Sequence, residues 1–259
     1  MKISVLILLL SVAMSTTGCF DNKGKPKDVP TVVSLAELSK TNRAEVVRLY
    51  LRASSVPIVD SDLADLPSLE VLDLSELEMK TIPSNVFSIA TLKQFYFAYN
   101  ALEALPPELA KLKGLNYLNL DGNRLASLSP AIGDLQDLRF LRLNGNKLAD
   151  LPAEVSKLKK LKRIYLKQNA FQKVPSALES LSMLEDVSMD GNPVTRIPDW
   201  LAKLPMLKNL SFSGCRISKL PEDLKGFSGL RSLQLSGCPI DKKEMERIRA
   251  ALPKTAIVF

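Results

Sequence analysis

Carboxylates and thiols are the side chains with which this chain could do acid-base or nucleophilic chemistry, because its 259 residues include no histidine. The absence of histidine excludes Ser-His-Asp triads, histidine general bases and the usual zinc sites. Asp121, Asp186 and Asp190 are candidate acids, but Asp121 is far from the other two along the chain, and no glycine-rich phosphate-binding loop occurs. We therefore predict a protein that is not an enzyme and that binds no metal or cofactor.

The spacing of leucines defines the elements that must position all other side chains. From Val46 onward the pattern L-x-x-L-x-L-x-x-N-x-L-x-x-L-P recurs every 23 residues. Apolar residues at places one, four and six of each repeat predict a short strand with one buried face. One repeat cannot bury this face alone, so stacked repeats must share a core. The nine repeats begin at Val46, Leu69, Leu92, Leu115, Leu138, Leu161, Leu184, Leu207 and Leu230.

The ninth place of each repeat lies where the chain leaves the strand and turns. In the middle repeats it is Asn, which can both donate to and accept from the turn backbone of neighbouring repeats. The last two repeats have Cys215 and Cys238 instead. Their α-carbons would lie about 5 Å apart, close enough for a disulfide in an exported protein, but a thiol can also replace Asn as a weak donor, and two free thiols are favoured. The predicted structural ladder is Asn100, Asn123, Asn146, Asn169 and Asn192.

An apolar residue and a proline follow the Asn turn in most repeats, as in Leu151-Pro152. Proline suits the first position of a short helical turn, whose later apolar residues would face the core. Strand, Asn turn and Leu-Pro segment together resemble the leucine-rich-repeat family, in its 23-residue class, from Val46 to about Ile240. The resemblance implies an α/β fold: a leucine-rich-repeat solenoid with a curved parallel sheet on the concave side and short helical or irregular turns on the convex side.

The segments that flank the repeats are predicted to close the solenoid at both ends. A short helix near the start has Ser34 as its N-cap and Glu37 three residues later. At the other end, a helix from Asp241 to Leu252 is stopped by Pro253 and followed by a strand over residues 256–259. The predicted boundaries are 34–45 for the N-terminal cap, 46–240 for the repeats and 241–259 for the C-terminal cap.

Strand residues that do not enter the core, at places two, three, five, seven and eight, are expected to line the concave face. With strands about 4.8 Å apart, the aromatic residues of the middle repeats can form one patch roughly 15 to 20 Å across. Tyr and Arg dominate measured binding hot spots, which favours a partner site, although cross-strand packing alone also favours aromatics at such places. The candidate contact residues are Tyr96, Tyr99, Tyr117, Asp121, Phe140, Arg142, Asn144, Arg163 and Tyr165.

The N-terminus is typical of a secretory signal. Residues 1–18 consist of a charged start at Lys2, an apolar run of about 12 residues, and then small or polar residues. As a helix this run spans about 18 Å, which is less than the roughly 30 Å of a hydrocarbon layer. A cleaved signal peptide is therefore predicted in preference to a membrane span. Residues 19–33 mix proline, glycine and charge without periodicity and predict a flexible tether.

The stretch Thr16-Thr17-Gly18-Cys19 resembles the bacterial lipoprotein box. The resemblance implies cleavage before Cys19, lipidation of its thiol with diacylglycerol, and acylation of the new N-terminus by a fatty acid such as palmitate. In such lipoproteins an Asp after the cysteine favours the inner membrane, and Phe20 stands there instead. We therefore expect an exported protein, lipid-anchored to the cell envelope with the outer membrane favoured; the alternative is an ordinary cleaved signal with an incidental thiol.

These features favour a non-catalytic module that binds a partner protein through its concave face at the bacterial cell envelope. A carbohydrate or peptidoglycan ligand is the main alternative, since stacked tyrosines also suit sugar rings, and a purely structural envelope lipoprotein is another. A third hypothesis is that the chain is a secreted effector, because it also resembles secreted leucine-rich-repeat effectors. The lipoprotein box disfavours this hypothesis. The net charge of +7 includes convex lysines such as Lys157 and Lys159, which favour a solvated surface or anionic lipid, and nothing indicates nucleic-acid binding.

Overall fold

The computed structural model of the chain describes residues 29–259. The predicted signal peptide at residues 1–18, the lipidation site at Cys19 and most of the predicted tether lie outside the described residues. The described chain begins two residues before the first strand of a single sheet. No helix within this described part has the length and apolar character needed to cross a membrane.

Eleven short parallel strands, paired in sequence order, form this sheet. In each repeat the strand covers places three to five, and the residue at place four is buried because it faces the core. The predicted solenoid of one parallel sheet with short helical turns is therefore confirmed. The strands are β1 Thr31–Val32, β2 Arg48–Tyr50, β3 Val71–Asp73, β4 Gln94–Tyr96, β5 Tyr117–Asn119, β6 Phe140–Arg142, β7 Arg163–Tyr165, β8 Asp186–Ser188, β9 Asn209–Ser211, β10 Ser232–Gln234 and β11 Ala256–Val258.

The register of the sheet follows the spacing of the sequence. From β2 to β10 each residue pairs with the one 23 positions later, as Tyr117 does with Phe140 and Phe140 with Arg163. Equivalent places of successive repeats therefore stand side by side, so the place of a residue in its repeat decides which side chains it can contact. The first pair departs from this spacing, since Thr31 pairs with Arg48.

Short 3₁₀ turns form the convex side of most repeats. Pro152 lies at the N-cap of its turn, one residue before the predicted first helical position. Val155 and Leu158, three and six residues after this proline, are fully buried, so each turn packs one apolar stripe against the sheet. The turns are Arg43–Glu45, Asp60–Leu63, Ser84–Ser88, Pro107–Lys111, Pro130–Asp134, Ala153–Lys157, Ser176–Leu178, Asp199–Lys203 and Lys225–Phe227.

Two α-helices close the ends of the stack. Helix α1 (Leu35–Leu38) has Ser34 as its N-cap, whose hydroxyl accepts from the Glu37 N–H at 3.1 Å, while the Glu37 carboxylate accepts from the N–H of Val33. Helix α2 (Lys242–Ala251) is capped by Asp241, which accepts from the N–H three residues later. Both caps thus satisfy backbone donors that a bare helix end would leave exposed.

Strand β1 corrects the predicted boundary of the tether. Residues 31 and 32, assigned to the tether from the sequence, pair with β2. The carbonyl of Pro30 accepts from the N–H groups of Val47 at 3.2 Å and Arg48 at 3.1 Å. A stretch of two residues carries too little periodicity to be recognised as a strand from sequence, and the folded cap therefore begins before residue 34.

Candidate functional site

The Asn ladder fixes the ends of the strands that carry the concave side chains. Asn146 donates to the carbonyls of Leu120 at 3.0 Å and Leu143 at 3.1 Å, and its Oδ1 accepts from the N–H of Leu125 at 3.0 Å. The other middle repeats have equivalent bonds to the repeat before them. Each strand end is therefore tied to the preceding repeat, which positions the concave side chains rigidly.

Two thiols continue this ladder into the last repeats. Cys215 Sγ donates to the carbonyl of Met189 at 3.3 Å and Cys238 Sγ to that of Phe212 at 3.1 Å, the carbonyls equivalent to those that Asn residues bond. Both cysteines are free thiols in the structure, in line with the favoured alternative rather than the disulfide. Burial raises the pKa of Cys215 to about 11 and also raises that of Cys238, so both thiols stay protonated at neutral pH and serve as donors.

Aromatic rings on the concave face form a continuous stack across three strands. The ring centroids of Tyr96 and Tyr117 are 4.8 Å apart and tilted by 34°, and those of Tyr117 and Phe140 are 6.0 Å apart and tilted by 36°. Tyr117 is the middle ring and is only 8% exposed. Burial raises the pKa of the Tyr96 and Tyr117 phenols, so both hydroxyls remain neutral donors over the physiological range.

Two arginines extend the stack to the next strand. Arg163 is the cross-strand neighbour of Phe140, and its guanidinium carbon lies 5.4 Å from the centre of that ring. Arg142 lies 5.3 Å above the ring of Tyr165 in the same way. Both distances are within the range of cation-π attraction. We refer to these six residues as the aromatic ladder: Tyr96, Tyr117, Phe140, Arg142, Arg163 and Tyr165.

The cations of the aromatic ladder are held and neutralised by carboxylates of neighbouring repeats. Arg142 donates to Asp121 through Nη2 at 2.6 Å and Nε at 2.7 Å, and Arg163 pairs with Asp186 at 2.8 Å. Burial by itself would lower the pKa of Arg142, but the charge and hydrogen bonds of Asp121 outweigh it and raise that pKa. The guanidinium groups are therefore fixed in position but contribute no unbalanced charge to the face.

Asp121 is a buried support and not an exposed contact residue, which corrects its predicted role. It is 4% exposed, and its second oxygen accepts from the backbone N–H of Asn144 at 2.7 Å. The Asn144 side chain in turn accepts from the N–H of Lys167 at 2.8 Å. Asp121 and Asn144 thus belong to the scaffold under Arg142. The sequence signal for such partners is opposite charge near the same place in adjacent repeats.

Tyr99 lies apart from the aromatic ladder, although we had predicted a single patch. It is 59% exposed and packs against Gly122 of the next repeat, where an added β-carbon would clash with the ring. Its backbone is left-handed, with a φ of 55°. In bulky residues this conformation is costly and is mostly left to glycine. The exposed ring is therefore kept at a place where the backbone disfavours it.

The left-handed conformation recurs at place eight of all nine repeats. Five repeats have glycine there, with φ between 63° and 73°, and four have another residue, with φ between 51° and 61°. This backbone turn was missed from the sequence, although the recurrence of glycine one residue before the ladder Asn was a signal for it. The residues at place eight are Ala53, Glu76, Tyr99, Gly122, Gly145, Gln168, Gly191, Gly214 and Gly237.

The repeated strand, Asn turn and convex turn define a class of protein, and the chain belongs to the leucine-rich-repeat family. The family described as leucine-rich repeat region matches residues 101–211 and, in a second match, 126–254, which together cover more than half of the chain. Mouse leucine-rich repeat-containing protein 10 is 37% identical over 60 residues, which are 23% of this chain and 22% of the mouse protein. The match thus spans about a fifth of that relative.

Solved structures of similar proteins agree with this assignment. A leucine-rich-repeat protein of Leptospira interrogans is 27% identical with a TM-score of 0.53, over 88% of this chain and 69% of that one. An internalin of Listeria monocytogenes has a TM-score of 0.73 at 22% identity, over 88% of this chain and 64% of the internalin. The ectodomain of an Arabidopsis thaliana receptor kinase, in complex with Casparian strip integrity factor 2, has a TM-score of 0.67 at 25% identity, over 86% of this chain and 28% of that one.

Proposed function

We propose that this chain is a non-catalytic binding protein of the bacterial cell envelope that holds a partner protein against the aromatic ladder. Leucine-rich-repeat proteins commonly mediate protein–protein interaction, and the Arabidopsis receptor kinase was solved in complex with Casparian strip integrity factor 2. The observation that carries the proposal is the stack of rings and guanidinium groups across β4 to β7. Such rigid groups bury much area with little loss of rotamer freedom, which is the property of binding hot spots.

Charge balance on the concave face supports a partner recognised by shape and apolar contact. Ion pairs between adjacent repeats neutralise the ladder arginines, and a similar pair joins Lys167 to Asp190 at 2.8 Å. Neutralised charges give little long-range attraction, so we expect binding that depends weakly on salt concentration.

The packing of the rings favours a protein over a sugar. A sugar ring stacks on an open aromatic face, whereas Tyr117 is covered on both sides by Tyr96 and Phe140, and Arg142 lies over Tyr165. The accessible parts of the aromatic ladder are therefore mainly ring edges and hydroxyl groups, which suit the mixed polar and apolar surface of a protein. Carbohydrate binding is the alternative that the capture experiment tests.

The location is proposed from the sequence of the N-terminus. We propose export by the signal peptide, lipidation at Cys19 as in lipoproteins, and an outer-membrane position, in a protein of the 23-residue Leu-Pro repeat class. Several acyl chains together would hold the protein almost permanently on a membrane. Metabolic labelling with a palmitate analogue tests this, because label should enter the wild-type chain and be absent from a Cys19→Ser variant.

A capture experiment tests the concave site. The purified chain is used as bait in a bacterial envelope extract beside a ladder variant with Phe140→Ala and Tyr165→Ala, two half-buried positions. Tyr117 is left in place because it is buried. We expect a protein that binds wild type and is lost by the ladder variant, with the interaction weakened by about 2 kcal/mol or more in calorimetry with the purified partner.

A matched variant controls for general damage to the sheet. Ser232→Ala and Gln234→Ala remove side chains at the same places three and five in the last repeat, where they bond each other and not a carboxylate that pairs with the aromatic ladder. This control should keep the partner. Equal capture by all three proteins, or retention of peptidoglycan fragments and no protein, would contradict the proposal. Thermal unfolding of each variant separates lost binding from lost folding.

A further inference from the structure

The positive charge of the described chain is concentrated in three neighbouring loops. Residues 29–259 contain 31 Lys and Arg and 26 Asp and Glu, a net charge of +5. The loops that lead into β5, β6 and β7 (residues 111–116, 134–139 and 157–162), which we call the basic edge, hold seven cations and two carboxylates, also a net charge of +5. The rest of the described chain is therefore neutral overall. The cations are Lys111, Lys113, Arg139, Lys157, Lys159, Lys160 and Lys162.

The fold holds these cations side by side at the surface. Leucines such as Leu112 and Leu135 anchor the loops in the core and leave the residues between them outside. The loops are joined through their backbones, since the N–H of Lys162 donates to the Arg139 carbonyl at 2.9 Å and that of Arg139 to the Asn116 carbonyl at 2.8 Å. Six of the seven cations are exposed, and Lys162 is half-buried.

Most of this charge is not neutralised within the described chain. Lys160 pairs with Asp137 at 2.5 Å and Lys162 with Glu185 at 3.4 Å. The other five cations have no ion pair with any residue between 29 and 259, in contrast to the arginines of the aromatic ladder. Their field extends about a Debye length, roughly 8 to 10 Å at physiological salt, toward whatever approaches this edge.

The N-terminal segment enters the fold at the same edge. All strands are parallel, so all begin on one side of the sheet. The Pro30 carbonyl accepts from the N–H of Val47, as the Arg139 carbonyl accepts from that of Lys162. Pro30 therefore occupies the place equivalent to Arg139, five strands or about 24 Å away.

A lipid on Cys19 would keep the basic edge near a bilayer. Val29 lies ten positions after Cys19 in the chain, and ten steps span at most about 35 Å. The edge where the strands begin is thus the side of the solenoid that such an anchor would bring closest to a membrane. Anionic headgroups of that membrane would therefore lie next to the basic edge.

We propose that the basic edge is a membrane-docking surface that binds anionic phospholipid headgroups. Clustered lysines and arginines are attracted to anionic leaflets, each adding to the partition onto the surface. Docking through this edge sets the strands upright on the membrane and leaves the concave face open to a partner from the side. The orientation rests on the proposed lipid anchor, whereas headgroup binding depends on the charges alone.

Vesicle binding with two variants of equal net charge tests the proposal. The purified chain is sedimented with phosphatidylcholine vesicles that contain or lack phosphatidylglycerol, and neutral vesicles give the baseline for every other contribution. The basic-edge variant carries Lys113→Gln, Arg139→Gln and Lys157→Gln. The control carries Arg124→Gln, Lys147→Gln and Arg216→Gln, which are exposed cations without an ion pair among residues 29–259, at the opposite edge where the strands end.

We expect the wild-type chain and the control to prefer anionic vesicles, and the basic-edge variant to lose about tenfold or more of that preference. Added salt should abolish the preference. Equal loss in both variants, or no preference by wild type, would overturn the proposal. The proposal would also be overturned if wild type bound heparin or duplex DNA but bound vesicles with and without phosphatidylglycerol equally, since the basic edge would then bind another polyanion.

Partner binding by the aromatic ladder and membrane docking by the basic edge are tested independently, so either proposal can fail while the other holds. The basic-edge variant should still capture the partner protein, because the aromatic ladder is untouched. The ladder variant should still bind anionic vesicles. Thermal unfolding of all variants shows whether each chain is folded in the test, and surface Lys→Gln and Arg→Gln changes are expected to leave the unfolding temperature nearly unchanged.

Discussion

Tyr99 is a bulky residue in a left-handed backbone, and it is also the most exposed ring of the concave face. A non-glycine residue pays roughly 1 kcal/mol or more for that conformation. The repeat imposes this backbone at place eight, and the exposed ring beside Gly122 is suited to a contact with the partner. The left-handed backbone of Tyr99 therefore lowers the stability of the fold, whereas its exposed ring favours binding of the partner.

We predict that Tyr99→Gly keeps or raises the free energy of unfolding, by up to about 1 kcal/mol, while weakening capture of the partner. Gln168→Gly is the matched control, because Gln168 has the same place and a φ of 51° but no ring. It should give a similar change in stability and unchanged capture. Urea unfolding and calorimetry measure the two effects. Loss of stability by more than about 1 kcal/mol in Tyr99→Gly alone would show that the ring is structural.

Glu244 joins the C-terminal helix to the last repeats. It is 7% exposed, accepts from the N–H of Leu220 at 2.9 Å, and pairs with Arg247 at 2.8 Å. The hydrogen bonds from Arg247 lower the pKa of this carboxyl from its ordinary value of 4.5. A lowered pKa in the folded state stabilises the protein above the unfolded pKa, and this contribution is lost as the pH falls through the folded value.

We therefore predict that wild type loses stability as the pH falls from 5 to below 4, and that Glu244→Gln loses less over the same interval. At pH 7 the variant should be the less stable of the two. Urea unfolding of the two proteins at pH 7, at pH 5 and below pH 4 measures these differences. Equal pH dependence in the two proteins would show that the Glu244 charge does not contribute to the cap.

At the scale of the element, the Asn turn links each strand to the repeat before it. Asn146→Ala would leave the Leu125 N–H without its acceptor in a buried turn, while the Leu120 carbonyl would keep only its bond from Asn123. We predict a loss of about 1 to 3 kcal/mol in the free energy of unfolding, since one buried donor loses its only partner. Cys215→Asn, which restores the common residue, should be neutral or stabilising. Denaturant unfolding distinguishes these outcomes, and a neutral Asn146→Ala would show that water replaces the side chain.

Element positions could be predicted from the sequence because the repeat fixes register. The leucine spacing predicted the positions of all nine repeat strands. The Asn positions predicted hydrogen bonds to adjacent repeats, such as that from Asn146 to the Leu120 carbonyl. Contacts between side chains could not be predicted in the same way. Asp121 is buried because Arg142 turns toward it across the sheet, and Tyr99 leaves the stack because its backbone is left-handed. The first depends on side-chain torsion angles that place in the repeat does not determine, whereas the second follows from the left-handed turn at place eight, which the recurring glycines there signal.

At the scale of the whole molecule, equal repeats imply that one unit can be removed without a change in fold. Deletion of residues 207–229, one period of 23, brings Met206 next to Leu230 and keeps every later residue at its place. We predict a folded protein with one cooperative transition at a modestly lower temperature, because one repeat interface is lost.

Deletion of residues 207–228 is the matched control. It removes 22 residues and shifts β10 by one place relative to β8, which would turn its buried side chains outward. Circular dichroism and thermal unfolding should show clear damage in this variant and little in the other. Similar behaviour of the two deletions would contradict the importance of the 23-residue register.

Strand β1 joins the sheet through just two residue pairs, and every later strand contacts only its neighbours. A mechanical pull on the chain before residue 29 would load β1 first and then each repeat in turn, because no bond in this part of the chain spans the stack. Each released repeat of 23 residues would add about 75 Å of length. A protein tethered at its N-terminus and bound to a partner would then yield stepwise under tension, and single-molecule stretching would record those steps.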